Sequence, residues 1–222
     1  MITYSHRGYK KKDNTTNSFS NSFPYFDGIE FDVRLTKDKI PVVIHDYNLL
    51  RTHGVDKSIH LTNYNSLLQY RLPLLDDVLQ LVKENKKKCL IDIKVKENSQ
   101  FIINYLQNLC LQKVCNKQMF KCIVYTNDIV IPKKIEVIRA YKYIIPRNVD
   151  IRFSGISVKI DDTQNTQYEK YIKRHLESKF HINIYLQQIS TGNSKNFIKY
   201  LIDNFNNKLS LTSDKKIDYI LL

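Results

Sequence analysis

The stretch Gly28-Ile29-Glu30-Phe31-Asp32-Val33 decides how the rest of the chain is read. Ile29, Phe31 and Val33 alternate with the positions between them, which is the period of a buried strand. Two of those intervening positions are carboxylates. Glu30 and Asp32 stand at i and i+2, so a strand points both to one face. Two like charges side by side on a core strand are costly unless something neutralises them. A divalent cation does so, because hard cations take oxygen ligands. The plainer alternative is an edge strand with both carboxylates in water.

Neighbouring runs carry polar residues of matching character. The first expected strand ends in His6-Arg7-Gly8. Here His6 can act as general acid or base, Arg7 offers a forked cation suited to phosphate, and Gly8 permits a sharp turn. The run Ile40-Pro41-Val42-Val43-Ile44 ends in His45-Asp46. In Cys89-Leu90-Ile91-Asp92-Ile93-Lys94, Asp92 and Lys94 again share a face at i and i+2. Each motif alone has a structural explanation. Their succession at the ends of consecutive strands points to one polar site built by several strands.

Strands are expected at 2–6, 28–34, 41–45, 88–94, 120–126, 152–159, 182–188 and 217–221. Helices are expected at 73–85, 97–114, 133–143, 165–179 and 194–207. In the second of these, Phe101, Ile102, Tyr105, Leu106 and Leu109 recur at helical spacing. Eight strands alternating with helices predict an α/β fold, a (β/α)8 barrel of TIM type, with active residues at the C-terminal ends of the strands. An open doubly wound sheet is disfavoured, since no glycine-rich phosphate loop follows the first strand and the chain has only five glycines. No linker or repeat divides residues 1–222, so a single domain is expected, ending on its last strand without a closing helix.

With 42% hydrophobic residues over 222 positions the composition is that of a globular chain. No apolar run approaches a membrane span. The N-terminus enters the first strand directly, with no leader, which implies an intracellular, cytoplasmic protein. The four cysteines have no zinc-type spacing and read as reduced packing residues. A formal net charge of +13 favours anionic partners, including peripheral contact with an anionic membrane, but no basic stripe or stacking platform indicates nucleic acid. Lys10-Lys11-Lys12 is read as a solvated run that can also steer anions. His53, His60, His175 and His181 fit no motif and are read as structural.

Taken together, His6-Arg7-Gly8, Glu30 to Asp38, Pro41 to Asp46 and Leu50-Arg51-Thr52 closely resemble the glycerophosphodiester phosphodiesterase family. The resemblance resumes at Leu72 to Leu79 and Ile91 to Lys94, and faintly at Ile217-Asp218-Tyr219-Ile220. It implies a TIM-type barrel of lipid metabolism that hydrolyses glycerophosphodiesters or lysolipids. Motif by motif, it implies His6 and His45 as the acid/base pair and Arg7 and Lys94 as phosphate contacts. It also implies Glu30, Asp32 and Asp92 as ligands of one divalent cation: Mg²⁺ or Ca²⁺, with Mn²⁺ as a third choice. Three departures stand out. Asp92 replaces the family's usual glutamate, as in the related sphingomyelinase D-like phospholipases. Lys12-Asp13-Asn14-Thr15 replaces Pro-Glu-Asn-Thr. The tryptophan segment near the seventh strand is replaced by Asn183 to Gln188. Two alternatives accompany the hydrolase: a phospholipase D-like lyase releasing a cyclic phosphate from lysophospholipids or sphingolipids, and a degenerate barrel that binds phosphodiesters without turning them over.

Overall fold

A computed structural model describes residues 1–10, 12–95, 98–116, 118–132, 135–141, 150, 152–160, 166–177, 181–186 and 192–214. In chain order the elements are β1 (Ile2–His6), α1 (Thr16–Ser22), β2 (Gly28–Leu35), β3 (Pro41–Val43), α2 (Leu50–His53), α3 (Leu75–Glu84), β4 (Lys88–Ile93) and α4 (Ser99–Leu111). They continue with β5 (Phe120–Val124), β6 (Val137–Tyr141), β7 (Gly155–Ile160), α5 (Thr166–Glu177), β8 (His181–Leu186), α6 (Gly192–Phe205) and β9 (Leu209–Ser213). Eight strands, β1-β2-β4-β5-β6-β7-β8-β9, pair in parallel, and β1 pairs with both β2 and β9, which closes the barrel. The expected (β/α)8 barrel is therefore the fold. Among the described residues no helix is long and apolar enough to cross a membrane.

The membership of the barrel differs from the expectation at three places. The run at 41–45 is not a barrel strand: β3 pairs antiparallel with the overhanging end of β2, Val33 opposite Val43. Residues 133–143 were expected to be a helix, yet 137–141 form β6. Val137 packs outward and Ile138 and Ala140 inward, so both faces are buried. With Arg139 between Val137 and Tyr141 on one face and Ile138 and Ala140 on the other, the run has no clean period-2 alternation to separate strand from helix. The eighth barrel strand is Leu209–Ser213, which was not expected, and the strand expected at 217–221 lies outside the described residues.

Alternation along β2 divides the molecule as its sequence requires. Ile29, Phe31 and Val33 face outward into a large core shared with α1, α3 and α4. A second outer core joins β7, β8 and β9 to α5 and α6. Inside the barrel, Tyr4, Leu90, Ile123, Ile138 and Ala140 form an apolar half. The other half is polar: Asn183 donates to Ser157 Oγ (3.0 Å) and accepts from Ser210 Oγ (2.9 Å) and Thr212 Oγ1 (3.1 Å). Each of these buried polar groups thereby finds a partner, as burial demands.

Gly28 shows how tightly the strands meet. A Cβ there would lie 2.4 Å from the Lys88 carbonyl oxygen and 2.9 Å from the Tyr4 ring. The first obstacle is backbone and cannot rotate away. Gly28→Ala is expected to cost about 2 kcal/mol of stability, read from urea unfolding. A loss under about 0.5 kcal/mol, the scale of a neutral surface change, would show that β2 and β4 can part without penalty.

Candidate active site

The C-terminal mouth of the barrel collects the predicted residues. At the end of β1 the chain turns through two left-handed residues, Arg7 (φ 54°) and Gly8 (φ 97°). The turn brings the Arg7 N–H onto Glu30, where it donates to the carbonyl (2.9 Å) and to Oε2 (3.2 Å). A side chain at Gly8 would collide with Ser18 at the start of α1. Thr15 and Ser18 form a capping box there, which fixes the loop that follows the first strand.

Glu30, Asp32 and Asp92 are buried, and one oxygen from each lies within 4.8 Å of the others. Strand register explains the convergence, since Asp32 sits directly opposite Asp92 and Glu30 opposite His6. Despite its shorter arm, Asp92 reaches the cluster. Its Oδ2 accepts from Lys94 Nζ (2.5 Å) and Tyr125 OH (2.8 Å). Asp32 Oδ2 accepts from Asn14 Nδ2 (2.8 Å) and lies 2.9 Å from Arg7 Nε, while Lys94 Nζ lies 3.1 Å from Asp32 Oδ1. Asn14 also accepts the Asp32 N–H (3.3 Å), so one amide clamps both ends of this residue.

Two cations face three carboxylates, and the imbalance falls on Glu30. Burial, then the neighbouring Asp32 charge, push its carboxyl up to about 8. Asp92 is also raised by burial, against the pull of Lys94. For Asp32 burial acts upward too, but Lys94 and Arg7 outweigh it and hold the group below its usual range. Asp92 Oδ1 is buried without a hydrogen-bond donor, and Asp32 Oδ1 is buried with only the Lys94 ammonium beside it, off hydrogen-bond geometry. Oxygen donors, orphaned lone pairs and a surplus carboxylate are the features a hard divalent cation satisfies.

Each predicted histidine is anchored through Nδ1 by a carboxylate. His6 Nδ1 lies 2.7 Å from Asp214 Oδ1 and 3.2 Å from Tyr185 OH, and its Nε2 is 3.9 Å from Glu30. Burial lowers the His6 pKa, but the bond to Asp214 and the Glu30 charge more than offset it, and the group is raised. His45 Nδ1 meets Asp46 Oδ1 at 2.7 Å, and here burial prevails and the pKa falls. Asp46 is gripped by Arg51 Nε (2.5 Å), and Arg51 in turn reaches Asp13 (3.2 Å). Asp13 thus serves as an outer brace, with Arg7 3.6 Å away. In both histidines the Nε2 is left for chemistry. His6, Arg7, Glu30, His45, Asp92 and Lys94 line one cavity of about 440 Å³, with Tyr125, Tyr141 and Tyr185 on the far strands.

All seven predicted site residues therefore come together. Asn14, Tyr125, Tyr185 and Asp214 were missed. Asp214 directly follows β9, a strand the sequence reading did not include, which concealed it. Asn14 sits in the altered Lys12-Asp13-Asn14-Thr15 segment, which as sequence carries no sign of which carboxylate it would bind.

A family model described as "Glycerophosphoryl diester phosphodiesterase family" matches residues 6–216. A glycerophosphodiester phosphodiesterase of Bacillus altitudinis is 32% identical over 111 residues, covering 43% of this chain and 45% of that protein. The chain spans less than half the length of the curated relatives it matches. Among solved structures, a glycerophosphodiester phosphodiesterase from Parabacteroides distasonis superposes with a TM-score of 0.73 at 20% identity, covering 98% of this chain and 94% of that one. An Oleispira antarctica phosphodiesterase in complex with the product sn-glycerol-3-phosphate gives 0.71 at 16% identity, with 99% and 95% covered. At such identities these two likenesses establish the shared fold.

The charge imbalance has a measurable consequence. In chelator, the folded state keeps a proton on Glu30 that the unfolded state loses above about pH 4.5. The native state then binds more protons, so stability falls as pH rises from about 4.5 to 8, by at most about 1.4 kcal/mol per unit. A bound divalent cation should flatten that slope and raise Tm, and Glu30→Gln should reduce the slope without it. Identical pH–stability curves for wild type and Glu30→Gln in EDTA would contradict this account of the cluster.

Proposed function

Because the chain belongs to the glycerophosphoryl diester phosphodiesterase family, we propose that it hydrolyses glycerophosphodiesters to an alcohol and glycerol 3-phosphate. The observation that carries this reading is the pairing of two carboxylate-anchored histidines with a buried carboxylate triad in one cavity. A barrel that only bound phosphodiesters would have no use for two oriented acid/base groups. The product complex of the Oleispira phosphodiesterase is consistent with a glycerol phosphate product here.

In the proposed reaction, Glu30, Asp32 and Asp92 would hold one divalent cation, Mg²⁺ or Ca²⁺. When bound, the cation supplies Lewis-acid neutralisation of phosphate charge. Arg7 and Lys94, at the edge of the same cluster, bind the remaining phosphate oxygens and stabilise charge that builds on them. One histidine takes a proton from the nucleophile at Nε2 as the new P–O bond forms. The other gives its Nε2 proton to the alcohol oxygen as the old P–O bond breaks. Asp46 and Asp214 are positioning residues that fix the ring orientations. Tyr125 keeps Asp92 Oδ2 and Lys94 in register. The nucleophile is water; attack by a neighbouring substrate hydroxyl would instead release a cyclic phosphate, and analysis of the products separates the two.

His6→Ala and His45→Ala are each expected to lower kcat about 10²–10⁴-fold on glycerophosphoethanolamine. On a diester with a p-nitrophenyl leaving group, one variant but not both should recover, because a good leaving group needs no acid. Equal losses on both substrates would remove the general acid from the scheme. EDTA should abolish release of glycerol 3-phosphate, and Mg²⁺ or Ca²⁺ should restore it; undiminished turnover in chelator would eliminate the cation.

A further inference from the structure

Behind His45 lies a second, smaller cavity of about 190 Å³. The loop after β1 contributes Lys12 and Asp13, α2 contributes Arg51 and His53, and Arg71 closes the side. His45 lines this cavity and the main one, so the two adjoin at this residue.

The charges in this side pocket are unequally committed. Arg51 is held by Asp46 and Asp13, and Asp13 is the only carboxylate in the lining. Among the described residues neither Lys12 nor Arg71 forms an ion pair. His53 meets the Thr52 hydroxyl through Nδ1 (2.8 Å) and donates from Nε2 to the Tyr70 carbonyl (3.1 Å). Burial, then the Lys12 charge, keep its pKa below the ordinary value, so the Lys12 ammonium is felt at the pocket wall. Two uncommitted cations around one already shared carboxylate favour an anion and oppose an ammonium group.

We propose that this side pocket is a subsite for the leaving alcohol, and that it selects glycerophosphodiesters whose alcohol carries a second phosphate. The inference rests on the phosphodiesterase reading. That reading puts the scissile phosphate beside Arg7 and Lys94 and a proton-transferring histidine between the two cavities.

The test compares glycerophosphoglycerol with its terminal phosphate monoester, using wild type and a Lys12→Ala/Arg71→Ala double variant. Both side chains are exposed, so the fold is not at risk. Wild type should favour the phosphorylated diester about tenfold in kcat/KM, as expected for two cations worth a few-fold each. The double variant should lose that preference while keeping its rate on glycerophosphoglycerol, and added salt should erode the preference in wild type. Turnover of both diesters at equal kcat/KM, or a preference that survives in the double variant, would overturn the subsite. Turnover of neither diester with Mg²⁺, Ca²⁺ or Mn²⁺ would overturn the phosphodiesterase reading instead. Titration calorimetry of the same diesters in EDTA then reads the subsite without catalysis, and equal affinities of wild type and double variant for the phosphorylated diester would overturn it independently.

Discussion

The structure depends on placing three carboxylates side by side in a barrel that offers them only two fixed cations. Glu30, Asp32 and Asp92 are all buried, and Arg7 and Lys94 are the nearest counter-charges. A charge out of water must be neutralised or must shed its charge, and Glu30 shows the second outcome by holding its proton up to about 8. Hydrogen bonds cannot complete the neutralisation, since Asp92 Oδ1 lacks a donor and Asp32 Oδ1 has only the Lys94 ammonium nearby. A fold that tolerates such a cluster meets a stability cost at the mouth, offset by apolar packing elsewhere. The two outer cores and the ring of Tyr4, Leu90, Ile123 and Ile138 below supply that packing.

Much of this was legible in the sequence because charge on an apolar strand is informative. Glu30, Asp32, Asp92 and Lys94 stand on runs whose other members are unmistakably core, and period-2 geometry alone puts each pair on one face. The strands without such markers were the ones misread. Residues 137–141 carry Arg139 among apolar residues on one face and Ile138 and Ala140 on the other, so they lack the alternation of a strand, whereas 209–213 alternate leucines with Ser210 and Thr212. Those two polar side chains point inward to Asn183, so a buried strand looks like a surface one. Partners that act at long range were invisible for another reason. Asp214 meets His6 across 208 positions, which closure of the barrel through β1 and β9 brings together, and Tyr125 meets Asp92 across 33, through the pairing of β4 with β5.

Within the barrel, β2 supplies two carboxylates, β1 on one side supplies His6 and Arg7, and β4 on the other supplies Asp92 and Lys94. Both lateral neighbours of β2 are then used, and a second histidine near Asp32 has no adjacent parallel strand left to carry it. The chain solves this by overrunning the mouth. β2 continues to Leu35, turns, and returns antiparallel as β3, where the Ile44 N–H bonds the Asp32 carbonyl at 3.0 Å and His45 follows. Arg34 Nε then pins the His45 carbonyl at 2.7 Å. The two histidines are consequently held by different parts of the fold. His45 rests on a local hairpin and on Asp46 and Arg51 close by in sequence, whereas His6 rests on β9 and Asp214 at the far end of the chain. Local contacts form at little entropic cost, while closing the barrel orders nearly the whole chain. The half of the site around His45 can therefore be shaped before the barrel closes, and pairing of β9 with β1 is the step that brings Asp214 to His6.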